Sequence, residues 1–322
     1  MIVTLTANPS VDRTIELAGE LRRGEVQRAV SARSEPGGKG VNVARALTAA
    51  GAPAIAVLPA GADDRMLAAL RDQTVAYRAV DVPHPVRVNV TVVEPDGTTT
   101  KLNEAGMPLT ASVLEALVGA VLKEAADARW AVLSGSLPPA VPADFYVELV
   151  AALHEQGCAV AVDTSGEPLR AVAAAALQPD LLKPNAEELA ELTGYDIARL
   201  EADPSFVAEA ARALIARGAG AVLATLGRHG AVLVDGSGTA WLGKAEAVVP
   251  INTVGAGDAT LAGYLLADLA GAGPADRLRQ AVAFGAAAVQ LAGSAMPRPG
   301  DLRPAGVSVV ALAPRSVASP RG

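Results

Sequence analysis

Short apolar runs alternate along the chain with longer stretches whose apolar positions recur every three or four residues. The runs 2–6, 54–58, 130–133, 159–163, 181–182, 221–225 and 231–234 predict buried strands. The segments 41–50, 66–72, 112–126, 143–156, 186–192, 205–217 and 259–269 predict helices, the first closed by Gly51. Strands that alternate with helices predict an α/β protein with a mainly parallel, doubly wound sheet. Ligands on such sheets bind beyond the carboxyl ends of the strands.

Two stretches break this rhythm. Residues 11–33 hold short alternating segments, 14–17 and 26–32, with no helix between them. Residues 86–103 read as a hairpin turning at "EPDGTT", where Asp96-Gly97 is a strong turn signal. Edge strands of the main sheet would fit these stretches, but strands without partner helices favour a separate small sheet, a lid. The expected organisation is a core of residues 1–10, 34–85 and 104–311, a β lid of 11–33 and 86–103, and a disordered tail at 312–322, rich in Pro, Ser and Arg.

Composition narrows the partners. Of the 322 residues, 51% are hydrophobic but only 3% aromatic, so Ala, Val and Leu must fill the core. The net charge of −7 argues against a nucleic-acid partner held by bulk electrostatics. An anionic ligand would need local cations, backbone NH groups or a metal. A single cysteine, Cys158, rules out an internal disulfide and suits a reducing, cytoplasmic setting. With no paired histidine motif, it reads as a small buried hydrophobe. The stretch "MIVTLTANPS" has no basic region before an apolar one and reads as a strand, not a secretion signal. Apolar runs such as 171–177 fall far short of the ~18 residues of a membrane span, so no membrane partner is expected.

Chemistry enters where the chain goes bare. In "NTVGAGDAT", residues 252–260, Gly255, Ala256 and Gly257 lead straight into Asp258 and then into an apolar helix. The first NH groups of a helix lack partners, and its dipole places roughly half a positive charge there. With no side chains in the way, an anion can reach those groups. A phosphoryl group in transfer needs such a cradle, and the adjoining carboxylate can take a proton from an attacking hydroxyl. A glycine turn with Asp258 capping the helix would use the same residues, so this motif alone does not decide.

A second bare stretch, "EPGGKGVNVARAL" (residues 35–47), brings Gly38, Lys39 and Asn42 to another helix start. It lacks the spacing of a Walker loop and the Gly-x-Gly-x-x-Gly dinucleotide pattern. It suits a polyhydroxylated, anionic ligand, or else is a plain turn with a solvated lysine. Three weaker stretches follow predicted strands on the same sheet edge. They are "LSGSLPP" with Ser136, "KPNAEEL" with Lys183, Asn185 and Glu188, and "TLGRHGA" with Thr225 and Gly227. Asn185 and Glu188 offer hard oxygens able to order Mg2+ through water. Agreement among several motifs on one edge outweighs any single match. His84, His154 and His229 share no metal-ligand spacing and read as structural or solvated, and no Gly-x-Ser-x-Gly elbow points to a serine hydrolase.

Together these stretches resemble the pfkB/ribokinase-like carbohydrate kinases. "GGKGVNVARAL" and "NTVGAGDAT" are similar to that family's two signatures, with "GSLPP", "KPNAEEL" and "TLGRHGA" in matching order, so the likeness spans residues 1–311. The resemblance implies a three-layer α/β/α sandwich with a small β-sheet lid, often used for homodimerisation. It implies ATP and Mg2+ and, in some members, a monovalent cation such as K+. It implies Asp258 as catalytic base, Gly255, Ala256 and Gly257 as an anion hole, and Asn185 with Glu188 as organisers of Mg2+. Lys183, Asn185, Thr225, Gly227 and Gly257 would face ATP; Asp12, Gly38, Lys39, Asn42, Arg87 and Ser136 would face the sugar.

Within the family, "TANPSVDRTIEL", "EPGGKG" and "KLNEAG" look like the sugar-phosphate kinases that act on fructose 1-phosphate or tagatose 6-phosphate. The minor 6-phosphofructokinases tend to carry glycine where Lys39 stands. A cation there, with Arg87 on the lid, suits an acceptor that already bears phosphate. Fructose 1-phosphate with ATP is the expected pair. Two departures stand out: Asn252-Thr253-Val254 opens the second signature, which leaves the monovalent-ion site open, and Thr260 replaces a common aromatic residue. A sugar-phosphate sensor on the same fold is the alternative of a different class, but it would have no need of Asp258.

Overall fold

The computed structural model describes residues 1–313, so the expected tail, apart from Leu312 and Ala313, lies outside the described residues. The elements follow in the order β1 Ile2–Leu5, β2 Ser10–Leu17, β3 Ala29–Gly37, α1 Lys39–Ala49, β4 Ala54–Pro59, α2 Arg65–Asp72, β5 Ala76–Val80, β6 Arg87–Val93 and β7 Thr99–Asn103. Then come α3 Ala111–Ala125, β8 Trp130–Ser134, α4 Phe145–Glu155, β9 Ala159–Asp163, α5 Gly166–Ala174, β10 Leu181–Leu182, α6 Ala186–Thr193, α7 Ile197–Ala202 and α8 Pro204–Ile215. The last are β11 Ala221–Thr225, β12 Ala231–Asp235, β13 Ala240–Ala245, α9 Ala256–Leu269, α10 Pro274–Ala288 and β14 Val307–Leu312.

The main sheet runs β14-β13-β12-β11-β10-β9-β8-β1-β4-β5. From β11 to β5 every pairing is parallel; the three pairings from β11 to β14 are antiparallel. Strands β1, β8 and β9 are apolar at almost every position because helices cover both faces. Helices α3 to α8 pack on one face, around Leu117, Tyr146, Leu149 and Leu214. Helices α1, α2, α9 and α10 pack on the other, around Leu47, Met66, Leu261 and Leu278. Successive strand residues alternate between the two cores: Trp130 and Val132 face one, Ala131 and Leu133 the other. The expected three-layer sandwich is therefore present. No helix among the described residues is long and apolar enough to cross a membrane.

A second, four-stranded sheet has the order β3-β2-β6-β7. It differs in extent from the segments predicted for the lid. Strand β3 runs on to Gly37 because Ser34–Gly37 pair in register with Ser10–Arg13 of β2. The lid sheet thus grows directly out of the turn that starts α1. Strands β5, β13 and β14 and helices α5, α7 and α10 were not predicted from the sequence. The three strands lie toward the sheet edges and mix exposed with half-buried or buried positions, which blurs the apolar run that marks a central strand.

Sequential strands leave β1 in one direction through β4 and β5, then resume beyond it at β8. The crevice between the ends of β1 and β8 is the switch point where such sheets bind ligands. Helix α9 begins beside it. Ten of its fourteen residues are buried, so it has no polar stripe. Glycines let it sit close to α10. A Cβ on Gly263 would come 2.7 Å from the carbonyl of Gln280 and 2.9 Å from Phe284, and one on Gly285 would strike the Thr260 hydroxyl. Thr260 is therefore a packing residue as well as a donor to Ala256 O, 2.8 Å away.

Gly263→Ala should lower stability by about 1–3 kcal/mol through overpacking, although alanine is the better helix former. Urea denaturation would show it as a lower midpoint; an unchanged or higher midpoint would mean that the two helices do not need this close approach.

Candidate active site

The ends of β9 and β10 and the starts of α1, α9 and α6 come together near the switch point. The first helix start is α1. Gly38 takes a φ of 102°, which places it in the left-handed region. Its neighbours are glycines for steric reasons. A Cβ on Gly37 would strike the Asp12 carboxylate, and one on Gly40 would lie 2.6 Å from the carbonyl of Leu5. The helix start is capped from outside, by the Thr6 hydroxyl accepting from the Val41 amide at 2.8 Å. The outcome is a lysine, Lys39, and an amide, Asn42, held rigidly against β1.

The second start is α9. Gly255 adopts a φ of 77°, and no side chain caps the helix. Asp258 therefore does not serve as a cap. Its Oδ2 instead accepts from Asn42 Nδ2 at 2.9 Å, joining residues 216 apart in sequence. The Ala256 amide turns back to the Thr253 carbonyl at 3.4 Å, whereas no partner is found among the described residues for the amides of Gly257 and Asp258. A Cβ on Gly257 would touch Lys183 Nζ at 3.4 Å, so this glycine keeps open the space beside an ammonium.

Between the helix starts lies a cluster of charge. Asp163, at the end of β9, is fully buried. Its Oδ1 accepts from Lys39 Nζ at 2.7 Å. Its Oδ2 lies 2.9 Å from Lys183 Nζ, an ion pair whose angle is poor for a hydrogen bond. Sequence reasoning missed Asp163 because "VDTSG" at a strand end also reads as the cap of the next helix. Its position on the same sheet edge as the other motifs was the available signal.

Burial and the nearby Asp163 charge push the Asp258 carboxyl up to about 6, against the pull of Lys39, the Asn42 hydrogen bond and Lys183. Burial works against the charge on Lys39, but Asp163, Asp258 and Glu188 outweigh it and hold its ammonium above the usual lysine range. Lys39 thus sits at the start of α1 beside Asp163 and Asp258. Burial likewise raises the Glu188 carboxyl.

Asn185 and Glu188 form a capping box on α6: Asn185 Oδ1 accepts from the Glu188 amide and Glu188 Oε2 from the Asn185 amide, both at 2.8 Å. The box fixes one buried carboxylate beside Lys39 and Lys183. No three acids, histidines or cysteines among the described residues gather to hold a metal by themselves. One fixed carboxylate fits Mg2+, which keeps most of its water and shares phosphate oxygens. Thr225 bridges to Asn185 across the strand ends, and Gly227 opens an exposed turn with free space above it.

On the lid, Asp12 Oδ1 accepts from Ser10 Oγ at 2.8 Å and Asn89 Nδ2 at 3.0 Å. Arg87 Nη1 donates to Glu104 O at 2.7 Å, while its buried Nε has no partner among the described residues. Ser136 is exposed at the end of β8 and accepts from Asn8 Nδ2 at 3.4 Å. Asn8 and Asn89 had not been singled out in the sequence. His154 pairs with Asp180 at 2.8 Å, and His84 and His229 are exposed, in keeping with structural or solvated roles.

Comparison with known proteins agrees with this geometry. Residues 5–300 match the model of the pfkB family carbohydrate kinases. The 1-phosphofructokinase of Rhodobacter capsulatus is 38% identical over 305 residues, 92% of this chain and 93% of that protein. The 1-phosphofructokinase of Xanthomonas campestris is 34% identical over 314 residues, 96% of this chain and 97% of that one. Among solved structures, phosphofructokinase-2 of Escherichia coli in complex with potassium superposes with a TM-score of 0.85 at 32% identity, covering 93% of this chain and 96% of its own.

Asp258 titrates from its ordinary 3.8 when exposed to about 6 when folded. The folded state therefore resists its ionisation. That penalty is absent below about pH 4, grows between the two values and is complete above about pH 6. Asp258→Asn should thus gain on the order of 1–3 kcal/mol of stability above pH 6 and nothing near pH 4. Denaturant midpoints at the two pH values test this; an equal or opposite change at both would show that the buried charge carries no such cost.

Proposed function

Because the chain belongs to the pfkB family of carbohydrate kinases, we propose that it is a sugar-phosphate kinase whose acceptor is fructose 1-phosphate. The observation that carries the reading is Asp258 itself: a buried carboxylate, raised in pKa, at an uncapped helix start within the field of two ammonium groups. Near neutral pH it is ionised yet basic enough to take a proton from the acceptor hydroxyl as that oxygen attacks the γ-phosphorus of ATP. The free amides of Gly257 and Asp258 meet the transferred group, with Gly255 and Ala256 shaping the turn. Lys39 and Lys183, held on Asp163, supply fixed positive charge where negative charge spreads. Glu188, with Asn185, would hold Mg2+ through water, and the metal would neutralise the ATP phosphates. Thr225 and Gly227 face the nucleotide phosphates. Asp12, Asn42, Gly38, Arg87 and Ser136 hold the sugar phosphate, with the Arg87 guanidinium as the cation for the acceptor's own phosphate.

Two accompaniments belong to the same proposal. The potassium complex of phosphofructokinase-2 supports a monovalent cation near the loop that begins at Asn252, which is tied to Gly293 by its side chain. The lid leaves Val26, Val30 and Leu102 exposed at 96%, 67% and 61%, which supports pairing of two cytoplasmic copies through their lids. Light scattering that finds only a monomer at assay concentration would remove the second point.

The likeness to phosphofructokinase-2, also solved in complex with fructose 6-phosphate, makes that sugar phosphate the competing acceptor. ADP release should be measured with fructose 1-phosphate, fructose 6-phosphate and tagatose 6-phosphate and ranked by kcat/KM. The expected ranking puts fructose 1-phosphate first; a 6-phosphate in first place would keep the kinase and discard the acceptor. Asp258→Asn should bind both substrates but lose about hundredfold or more in kcat. Near-normal turnover in that variant would discard the base.

A further inference from the structure

Arg45 lies one helical turn beyond Asn42 on α1 and is buried with 4% of its surface exposed. Its Nη1 donates to Asn42 Oδ1 at 3.0 Å, to the Pro36 carbonyl at 2.9 Å and to Ser294 Oγ at 3.4 Å. Its Nε donates to Gln73 Oε1 at 2.7 Å, and Nη2 lies 3.6 Å from Glu35 Oε1. Glu35 in turn accepts from the Ser294 amide at 2.7 Å. One guanidinium therefore ties together the foot of the lid strand β3, helix α1, the end of α2 and the segment after α10.

The contact with Asn42 matters most. A side-chain amide has nearly the same shape when turned over, so its orientation is set by its partners. Asn42 can donate Nδ2 to Asp258 only while Oδ1 faces a donor on its other side. Turned over, it would aim its oxygen at the Asp258 carboxylate and its NH2 at the guanidinium. Both contacts would repel. A guanidinium has donors only, so Arg45 permits a single orientation.

We propose that Arg45 is a positioning residue for phosphoryl transfer: it fixes the Asn42 amide and, through it, the direction in which the Asp258 carboxylate points. This rests on the reading of Asp258 as the base. The charge on Asp258 is set by burial, Asp163 from β9, Lys39 from α1 and Lys183 beyond β10, with Asn42 as hydrogen-bond donor and a weaker contribution from Arg45 of α1. Arg45 is the one among them that also lines a cavity of about 780 Å³, shared with Glu35, Gln73, Thr74, Met296 and Arg298. Removing its side chain would open a path from that cavity to Asn42 wide enough for a small guanidinium ion.

The test compares Arg45→Ala, Arg45→Lys and Asp258→Asn with the unaltered enzyme. For Arg45→Ala, kcat should fall about tenfold or more while both KM values stay within about threefold, the pattern of a misaligned base and not of lost binding. The acid limb of kcat/KM should move to higher pH, because one cation fewer favours the protonated carboxyl. Added methylguanidinium should restore part of kcat in Arg45→Ala and none in Asp258→Asn. Should Arg45→Ala not fold, Arg45→Lys, which keeps the charge but not the planar fork, should still lose about tenfold in kcat with both KM values within about threefold and an unmoved acid limb. A folded variant with unchanged kcat overturns the proposal. In Arg45→Ala, so does a kcat loss with an unmoved limb and no rescue, which marks a structural role. If Asp258→Asn itself turns over normally, the base reading has failed, and the Arg45 role falls with it. If Asp258→Asn is inactive while the Arg45 variants are normal, only the Arg45 role is lost.

Discussion

Everything at this site depends on keeping several charges out of water at once. Asp163, Glu188 and Asp258 are buried together with Lys183, and Lys39 reaches in from the crevice. An isolated carboxylate in such a place would lose its charge. Asp163 keeps its own, because two ammonium groups flank it. Asp258 has only the remainder of their field, plus one amide donor, so burial and the Asp163 charge push its carboxyl up to about 6. The two acids are alike in chemistry and burial. What separates them is which one the lysines touch. That division makes one a fixed counter-ion and suits the other to the proposed role of base.

The fold supplies that division through small residues. Neither helix start could approach the strand ends if it carried ordinary side chains. Gly40 lets α1 lie against Leu5, and Gly255 fits beneath Met296, whose Cε would come within 2.9 Å of any Cβ placed there. Gly263 and Gly285 then bring α10 up behind α9. The same composition that leaves the chain poor in aromatics gives it helices that can pack this closely. The geometry of the site and the density of the second core are therefore one constraint: widening the helix spacing would move Asp258 away from Asn42.

Much of this was legible beforehand, for identifiable reasons. The central strands are buried on both faces, so they read as unbroken apolar runs. A bare segment before an acid and an apolar helix marked Asp258 and its cradle. What could not be read is contact at a distance. Nothing in "GVNVARAL" says that Asn42 meets a residue 216 positions later, or that Arg45 is buried and not on a solvated helix face. Asp163 was hidden because an acid followed by Thr and Ser is ambiguous between a cap and a site. The Asn185–Glu188 pair shows the converse. It was singled out for metal chemistry, and it is also a capping box, so its spacing serves helix α6 whether or not an ion is bound. The lid's extent was misjudged for a related reason: "SEPGG" looks like a turn, but its residues continue the pairing of β3 with β2 down to Gly37.

That continuity has a mechanical consequence. Strand β3 ends at Gly37, and α1 begins at Lys39, with only Gly38 between them. A tilt of the lid sheet at the foot of β3 would pass through that glycine or be carried into α1, where Lys39 and Asn42 reside. Glu35 and Pro36, at the foot of the strand, are held by Arg45, and Asp12 lies against Gly37. The groups proposed to grip the sugar phosphate and those proposed to move the proton thus share one short rigid connection. Closure of such a lid over its substrates would exclude water, and it would press on the helix that holds the partner of the proposed base. In this architecture, sensing that the acceptor is bound and aligning the base need no separate relay.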